Sequence, residues 1–300
     1  MTGYQNIYWT SKDGLRLHAR DYPADDATGA AGRPPLLCLP GLTRNARDFA
    51  GLAERLAGEW RVIAVDFRGR GESAHAKDPM TYVPATYGED LELLLDRLGI
   101  ERFAAIGTSL GGIVTMLFAA NARHRLAGAL LNDVGPEIEA AGLSRIRGYV
   151  GRGSAYPTWM HAARAVAEAQ KDVYPDWSLA DWLAMAKRLH RLNSHGRVVL
   201  DYDMRIAEPF RVPGKETGAD MWGALSALQG LPVMVVRGER SDVLGPATAR
   251  RMVAELHGAE LATVARVGHA PTLNEPELQA PIARWLARLT EPAVGPTVLP

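Results

Sequence analysis

A serine lies between glycines in the segment FAAIGTSLGGIVTM, residues 103–116. Gly107, Ser109 and Gly111 match the pattern G-x-S-x-G, with an apolar run before it and a helical run after it. This pattern is typical of a sharp strand-to-helix turn that lifts a serine hydroxyl above a sheet, where small residues relieve backbone crowding. The alternative interpretation is an ordinary glycine-rich turn with a solvated serine.

A serine hydroxyl is a weak nucleophile without a base, and His269 is the candidate base because it follows the last predicted strand. A carboxylate should orient the imidazole. Two aspartates compete for that role: Asp242 follows PVMVVRGERS, and Asp133 follows LAGALLN. We favour Asp242 and assign Asp133 to the pocket wall or to a hinge, because Gly135 and a proline follow it directly.

Acyl transfer also needs backbone donors for a developing oxyanion. Leu110 begins the predicted helix after the serine, and Leu42 follows Gly41 in the loop after the strand PPLLCLP. We expect the Leu42 and Leu110 N–H groups to face each other. Arg44 and Asn45, in the same loop, are candidate substrate contacts, although solvated loop residues would look the same.

These residues require a sheet whose strands end at one edge. Strands alternate with helices through the first half of the chain and again after about residue 230, which indicates a mainly parallel sheet covered on both faces. Lys12, Asp13 and Gly14 predict a hairpin turn near the start. Between the two regions of alternating strands and helices, residues 136–218 show helical patterns without a convincing strand. We therefore predict one α/β core, residues 1–135 and 219–300, interrupted by a helical insertion.

The insertion contains several aromatic residues. Trp159 and Trp182 are candidate walls of an apolar acyl pocket, together with Trp177 and Tyr156. The alternative is that these rings hold the helices of the insertion together.

Bulk composition narrows the functional classes. The 300 residues carry 34 basic and 34 acidic side chains, so bulk charge suggests neither a nucleic-acid nor an anionic-membrane partner. The single cysteine, Cys38, lies in an apolar run and is expected to be a buried thiol. The sequence shows no apolar window of about 18 residues, no secretory signal and no metal-ligand spacing. We expect a cytoplasmic protein without cofactor or metal.

The motifs together resemble the α/β-hydrolase superfamily. The matching segments are LPGLTRNARDF, VIAVDFRGRGES, IGTSLGGIV, GERSDVLGPATA and VGHAPTLNEPE. The resemblance implies an eight-stranded sheet with an antiparallel second strand, the catalytic order Ser109, Asp242, His269, and a helical cap over residues 136–218. It is closest in kind to bacterial capped carboxylesterases, enol-lactone hydrolases and meta-cleavage-product hydrolases. The first loop begins Leu-Pro-Gly where many relatives have His-Gly. Serine replaces the aspartate of haloalkane dehalogenases, which argues against that activity.

Three functional hypotheses follow. The first is a serine hydrolase acting on a small-molecule ester, lactone or thioester with an apolar acyl part. The second is hydrolysis of a C–C bond in a diketone acid, with cationic side chains holding the substrate carboxylate. The third is a non-catalytic ligand-binding protein that keeps the fold. In each case we expect a monomer or homodimer with no nucleic-acid or membrane partner. The candidate cations for the second hypothesis are Arg145, Arg147, Arg188 and Arg191.

Overall fold

The computed structural model describes residues 3–25, 32–211 and 220–291. Its centre is a sheet of eight strands in the order β1-β2-β4-β3-β5-β6-β9-β10. The second strand is antiparallel to both of its neighbours, and the other strand pairs are parallel. The predicted fold class is confirmed. The strands are β1 (Gln5–Thr10), β2 (Arg16–Tyr22), β3 (Leu36–Leu39), β4 (Val62–Asp66), β5 (Phe103–Thr108), β6 (Leu126–Asn132), β9 (Val233–Gly238) and β10 (Glu260–Val264).

Helices cover both faces of this sheet. Alternate residues of the central strands face opposite ways: Leu37 and Leu39 join one apolar cluster, whereas Leu36 and Cys38 join the other. Helices α2, α3, α7 and α8 pack on the first face, and α1 and α9 on the second. Their bounds are α1 (Ala50–Leu56), α2 (Pro84–Arg97), α3 (Leu110–Ala122), α7 (Met221–Ser226), α8 (Pro246–Glu255) and α9 (Pro276–Arg288).

We call residues 136–211, which follow β6, the cap segment. It contains α4 (Ala140–Tyr149), α5 (Trp159–Gln170) and α6 (Leu179–Leu189). Ser178 and Asp181 form the capping box that begins α6. The predicted end of the insertion, at residue 218, lies outside the described residues.

The prediction of a strand-free insertion was wrong. A two-stranded antiparallel hairpin, β7 (His190–Leu192) and β8 (Val198–Leu200), follows α6 directly. The stretch KRLHRL keeps an apolar residue at helical spacing, so the sequence pattern extends the helix to Leu192. In the structure α6 ends at Leu189, because the backbone becomes extended at His190, where φ is −122° and ψ is 166°.

Cys38 lies in the centre of the sheet and is fully buried, as expected, and burial raises the pKa of its thiol. Within the described ranges, none of the helices combines the length and the apolar character needed to cross a membrane.

Candidate active site

Ser109 occupies a sharp turn between β5 and α3, at the carboxyl edge of the sheet. Its φ of 52° and ψ of −115° are strained for a residue with a side chain. The turn also brings backbones together: a Cβ on Gly107 would lie 2.5 Å from the Gly111 carbonyl oxygen, and one on Gly111 would lie 2.0 Å from that of Leu39. Only glycine fits at these two positions, which explains the spacing seen in the sequence.

The Ser109 hydroxyl lies 2.9 Å from Nε2 of His269, and Nδ1 of the same ring lies 2.8 Å from Oδ2 of Asp133. Asp133 is fully buried, and the His269 side chain is 9% exposed. A carboxylate beside Nδ1 favours the tautomer in which Nδ1 carries the proton. Nε2 is then available to accept the proton of the serine hydroxyl.

Asp133 is held by three further contacts. The Gly238 N–H donates to Oδ1 at 2.9 Å, and the Ser241 hydroxyl donates to Oδ2 at 2.7 Å. The Asp133 N–H donates to the Val236 carbonyl at 2.8 Å. Its φ of 58° lies in the left-handed region, which aspartate tolerates better than most residues. These bonds fix the position of the carboxylate beside His269.

The expectation that Asp242 contacts His269 was wrong. Its carboxylate instead accepts two hydrogen bonds from Arg145, at 2.6 and 2.7 Å, which hold its pKa below the usual value. Asp133 immediately follows β6, whereas Asp242 lies four residues beyond the end of β9. Since β6 and β9 are neighbours in the sheet, both aspartates reach the same region, but only Asp133 turns its side chain under the histidine.

The first loop places backbone donors near the serine. A Cβ on Gly41 would lie 3.6 Å from the Ser109 Cβ, so the loop packs directly against the turn. Within the described chain, neither the Leu42 N–H nor the Leu110 N–H donates a hydrogen bond. The fully buried Arg70 fixes the loop from behind, because its Nε donates to the Leu42 carbonyl at 2.9 Å. Both N–H groups are therefore without an acceptor among the described residues.

A cavity of about 570 Å³ opens above these groups, between the sheet edge and the cap segment. Ser109 and His269 line it on the core side. The cap segment contributes Tyr149, Tyr156 and Val166, among others. A volume of this size suits a small organic ligand.

The family model described as "Alpha/beta hydrolase family" matches residues 36–282. This chain belongs to the alpha/beta hydrolase family. It is 34% identical over 248 residues to a 3-hydroxybutyrate-oligomer hydrolase of Cupriavidus necator. The matched region covers 80% of this chain and 84% of that protein. A crystal structure of an alpha/beta hydrolase from Novosphingobium aromaticivorans has 58% identity and a TM-score of 0.90, and the match covers 96% of this chain and 99% of that one. The structure of E-2-(acetamidomethylene)succinate hydrolase, 21% identical with a TM-score of 0.75 over 96% of this chain and 98% of that one, shows the shared fold alone.

The two tryptophans chosen as pocket walls in this alpha/beta hydrolase lie elsewhere. Trp182 is buried within the cap segment, with Trp177 4.8 Å away ring to ring, and Trp159 packs at the edge of the same apolar cluster. Neither is among the described residues that line the cavity. Their aromatic rings hold the helices of the cap segment together, which was the alternative interpretation.

The two polar residues predicted to contact substrate, Arg44 and Asn45 of the first loop, lie in different surroundings. Arg44 lines the cavity. Asn45, however, is buried, and its Nδ2 donates to the Arg188 carbonyl at 2.9 Å, so it joins the core of this alpha/beta hydrolase to the cap segment. The prediction that Asn45 contacts the substrate was wrong, because its side chain is buried in this contact.

Of the four cap arginines considered, Arg145 and Arg188 line the cavity. Arg147 and Arg191 are absent from the lining formed by the described residues, and Arg191 lies 3.2 Å from Asp201. The described residues contain no group of three or more His, Cys, Asp or Glu side chains that could hold a metal ion.

Sequence reasoning missed Ser241 and Arg70. Ser241 precedes Asp242 in GERSD, and no local pattern links its hydroxyl to Asp133, which lies 108 residues earlier in the chain. Arg70 stands in the glycine-rich stretch FRGRGES, where it looks like one of several turn residues. Its burial, which the sequence does not show, gives it the contact with the Leu42 carbonyl.

Proposed function

We propose that this alpha/beta hydrolase is a serine hydrolase that cleaves a small-molecule ester through Ser109, His269 and Asp133. The observation that carries the proposal is the hydrogen-bonded chain from the Ser109 hydroxyl through His269 to the buried carboxylate of Asp133. Lactones and thioesters react by the same steps and remain within the proposal.

In the first half-reaction Ser109 Oγ attacks the ester carbonyl carbon while His269 Nε2 takes the hydroxyl proton. Asp133 stabilises the imidazolium that forms. The Leu42 and Leu110 N–H groups hold the oxyanion of the tetrahedral intermediate. The C–O bond to the alcohol then breaks, and His269 returns the proton to the departing oxygen. Water, activated by the same histidine, releases the acid from the acyl-enzyme.

The relationship to the 3-hydroxybutyrate-oligomer hydrolase supports ester cleavage, because oligomers of a hydroxy acid are joined by ester bonds. We therefore propose esters of short hydroxy acids as the first substrates to examine. The cavity of about 570 Å³ has room for more than one such unit.

Incubation with p-nitrophenyl butyrate tests the proposal. Native protein should show turnover, and Ser109→Ala should reduce it by about 10³-fold or more. Ser154→Ala is the matched control, since Ser154 lines the same cavity and is exposed. A fluorophosphonate should label the native protein and the control at Ser109. Turnover that survives Ser109→Ala would refute the mechanism, and a native protein that neither turns over nor labels would favour a non-catalytic binding protein.

A second candidate is hydrolysis of a C–C bond in a diketone acid. It is favoured by one observation, that the guanidinium-bearing residues Arg145 and Arg188 both line the cavity. The two functions separate on a substrate panel, because a C–C hydrolase should turn over a vinylogous diketone acid faster than any ester of similar size.

A further inference from the structure

The cavity beside Ser109 carries an excess of positive charge. Its described lining includes four guanidinium groups, those of Arg44, Arg145, Arg152 and Arg188, but only one carboxylate, that of Asp48. Arg145 is neutralised by its two hydrogen bonds to an aspartate outside the lining, and Arg152 is exposed. The remaining positive charge in the cavity therefore belongs to Arg44 and Arg188, which face the single carboxylate of Asp48.

Arg44 and Arg188 share one carboxylate unequally. Arg44 donates to Asp48 through Nε and through Nη2, the latter at 2.9 Å. The Nε of Arg188 lies 3.9 Å from the same carboxylate, which is beyond hydrogen-bonding distance. One carboxylate thus faces two guanidinium groups, and the pair keeps a net positive charge.

Arg188 has unused hydrogen-bonding capacity. Its Nε is buried with no hydrogen-bond partner, and the described contact of its Nη2 is with the Met185 sulfur at 3.7 Å. A buried N–H of a cation without an oxygen acceptor is costly. The Arg188 side chain is 25% exposed and lines the cavity, so a carboxylate that enters can reach the guanidinium group. Guanidinium groups match carboxylates in geometry, since two parallel N–H groups can meet two oxygens.

The pair lines the same cavity as the reacting serine. The Arg44 Cγ and the Ser109 Cβ lie 3.3 and 3.6 Å from the point that a Cβ on Gly41 would occupy. The Arg44 Nη2 reaches the Met185 sulfur at 3.0 Å, which places the Arg188 guanidinium beside it. An anion held here would lie in the same cavity as the carbonyl that Ser109 attacks.

We propose that Arg44 and Arg188 bind the free carboxylate of the substrate, and that the substrate is an ester whose leaving alcohol is a short hydroxy acid. In a 3-hydroxy acid two carbon atoms separate the ester oxygen from the carboxylate carbon, so the scissile ester and the carboxylate can occupy this one cavity together. Ser109 forms the acyl bond, the ester C–O bond breaks, and the hydroxy acid leaves with the proton from His269. The enzyme then shortens an oligoester from its carboxyl end. This inference rests on the proposed function.

The test compares the linear dimer of 3-hydroxybutyrate as the free acid with its methyl ester, in which the carboxylate is replaced by a neutral group. Cleavage of the internal ester bond is measured as initial release of the leaving hydroxy acid or of its methyl ester, so that hydrolysis of the methyl ester bond is not counted. Native protein should prefer the free acid in kcat/KM. In Arg188→Gln the ratio of kcat/KM for acid over methyl ester should fall about 10- to 100-fold, chiefly through KM, because one charge-assisted contact is lost. Arg188→Lys should restore part of the ratio. Arg164→Gln removes the same charge from an exposed site on α5 outside the described lining and should keep the native ratio.

The outcomes separate this inference from the proposed function. Methyl ester turnover shows that each variant is folded, and Ser109→Ala shows that turnover depends on the serine. If native protein hydrolyses the methyl ester through Ser109 but shows no preference for the acid, the carboxylate site is refuted and the ester hydrolase remains. An equal fall of the ratio in Arg188→Gln and Arg164→Gln would also refute the site, since it would then reflect overall charge. If neither dimer is hydrolysed through Ser109, and p-nitrophenyl butyrate is not either, the proposed function itself fails.

Discussion

Substitution of the two competing aspartates by asparagine tests the arrangement of the site most directly. In Asp133→Asn, shape is conserved but the charge is lost, and the amide must meet donors on every side. With its NH₂ towards His269, Nδ1 becomes an acceptor and Nε2 carries the proton, so the ring donates to Ser109 and cannot act as its base. With its oxygen towards His269, the NH₂ faces the Gly238 N–H, which is 2.9 Å from the native Oδ1. Neither orientation reproduces the native site.

The size of the effect follows from what is lost. The buried carboxylate is 2.8 Å from Nδ1 of His269 and stabilises the imidazolium that forms as Ser109 attacks. Loss of this charge together with the wrong tautomer costs serine proteases about 10⁴-fold in kcat, which corresponds to about 5.5 kcal/mol of transition-state free energy. Asp242→Asn breaks only a partly exposed ion pair with Arg145, so we expect less than about a threefold change in kcat.

The assay is steady-state hydrolysis of p-nitrophenyl butyrate, with the rate of fluorophosphonate labelling as a second measurement that does not depend on deacylation. Circular dichroism and thermal melting establish that both variants are folded, which matters because Asp133 is fully buried. A folded Asp133→Asn protein that keeps more than a tenth of native kcat would refute the assigned acid. The reasoning would be reversed if Asp242→Asn lost activity by about 10³-fold or more while Asp133→Asn remained active.

Two further predictions concern stability. Gly111→Ala should lower the free energy of unfolding by about 3 kcal/mol or more, because its Cβ would lie 2.0 Å from the Leu39 carbonyl oxygen. Gly88→Ala lies in α2, where a Cβ would have no atom within 4 Å, and should raise the free energy of unfolding by about 0.5–1 kcal/mol. Urea denaturation measures both. Arg145→Gln should lower the melting temperature at pH 7. The hydrogen bonds from Arg145 depress the pKa of Asp242 in the folded state, so their contribution is present above the unfolded pKa of about 4 and lost as the pH falls through the folded value. The difference from native protein should therefore narrow in melts below about pH 4, and a constant difference would contradict this.

The sequence was sufficient for the fold and for two of the three side chains in the proposed triad. Gly107 and Gly111 identify the turn at Ser109, because only glycine allows the close backbone approach there. His269 could be chosen since it follows the last strand of a parallel sheet, whose carboxyl ends meet at one edge. Both choices depend on local backbone constraints that leave a clear mark in the sequence.

The acid could not be chosen in the same way. Asp133 and Asp242 both follow strands that are neighbours in the sheet, so chain order and strand position describe them equally well. The choice depends on which side chain turns under His269 and on what neutralises the other. That neutralising group is Arg145, nearly one hundred residues away in the chain, and no local pattern links it to Asp242.

The cap segment was least predictable for a related reason. Helical spacing shows that Trp182 lies on an apolar face of its helix. A residue that lines a cavity and one that packs against another helix occur at the same spacing, so the sequence cannot separate them. The strands of the hairpin are three residues each, too short for alternation to outweigh the helical pattern that precedes them.

Of the two aspartates, only Asp242 binds a residue of the cap segment. Asp133 lies three residues before the cap segment, yet its N–H donates to Val236 and its carboxylate accepts from Gly238 and Ser241, so residues of the core fix it. Asp242 instead binds Arg145 of α4 and so attaches a cap helix that lines the cavity. No hydrogen bond from the described part of the cap segment reaches the proposed acid, whereas Asp242 holds Arg145 in the cavity wall. We therefore expect loss of the Asp242 contact to act on KM rather than on the chemical step.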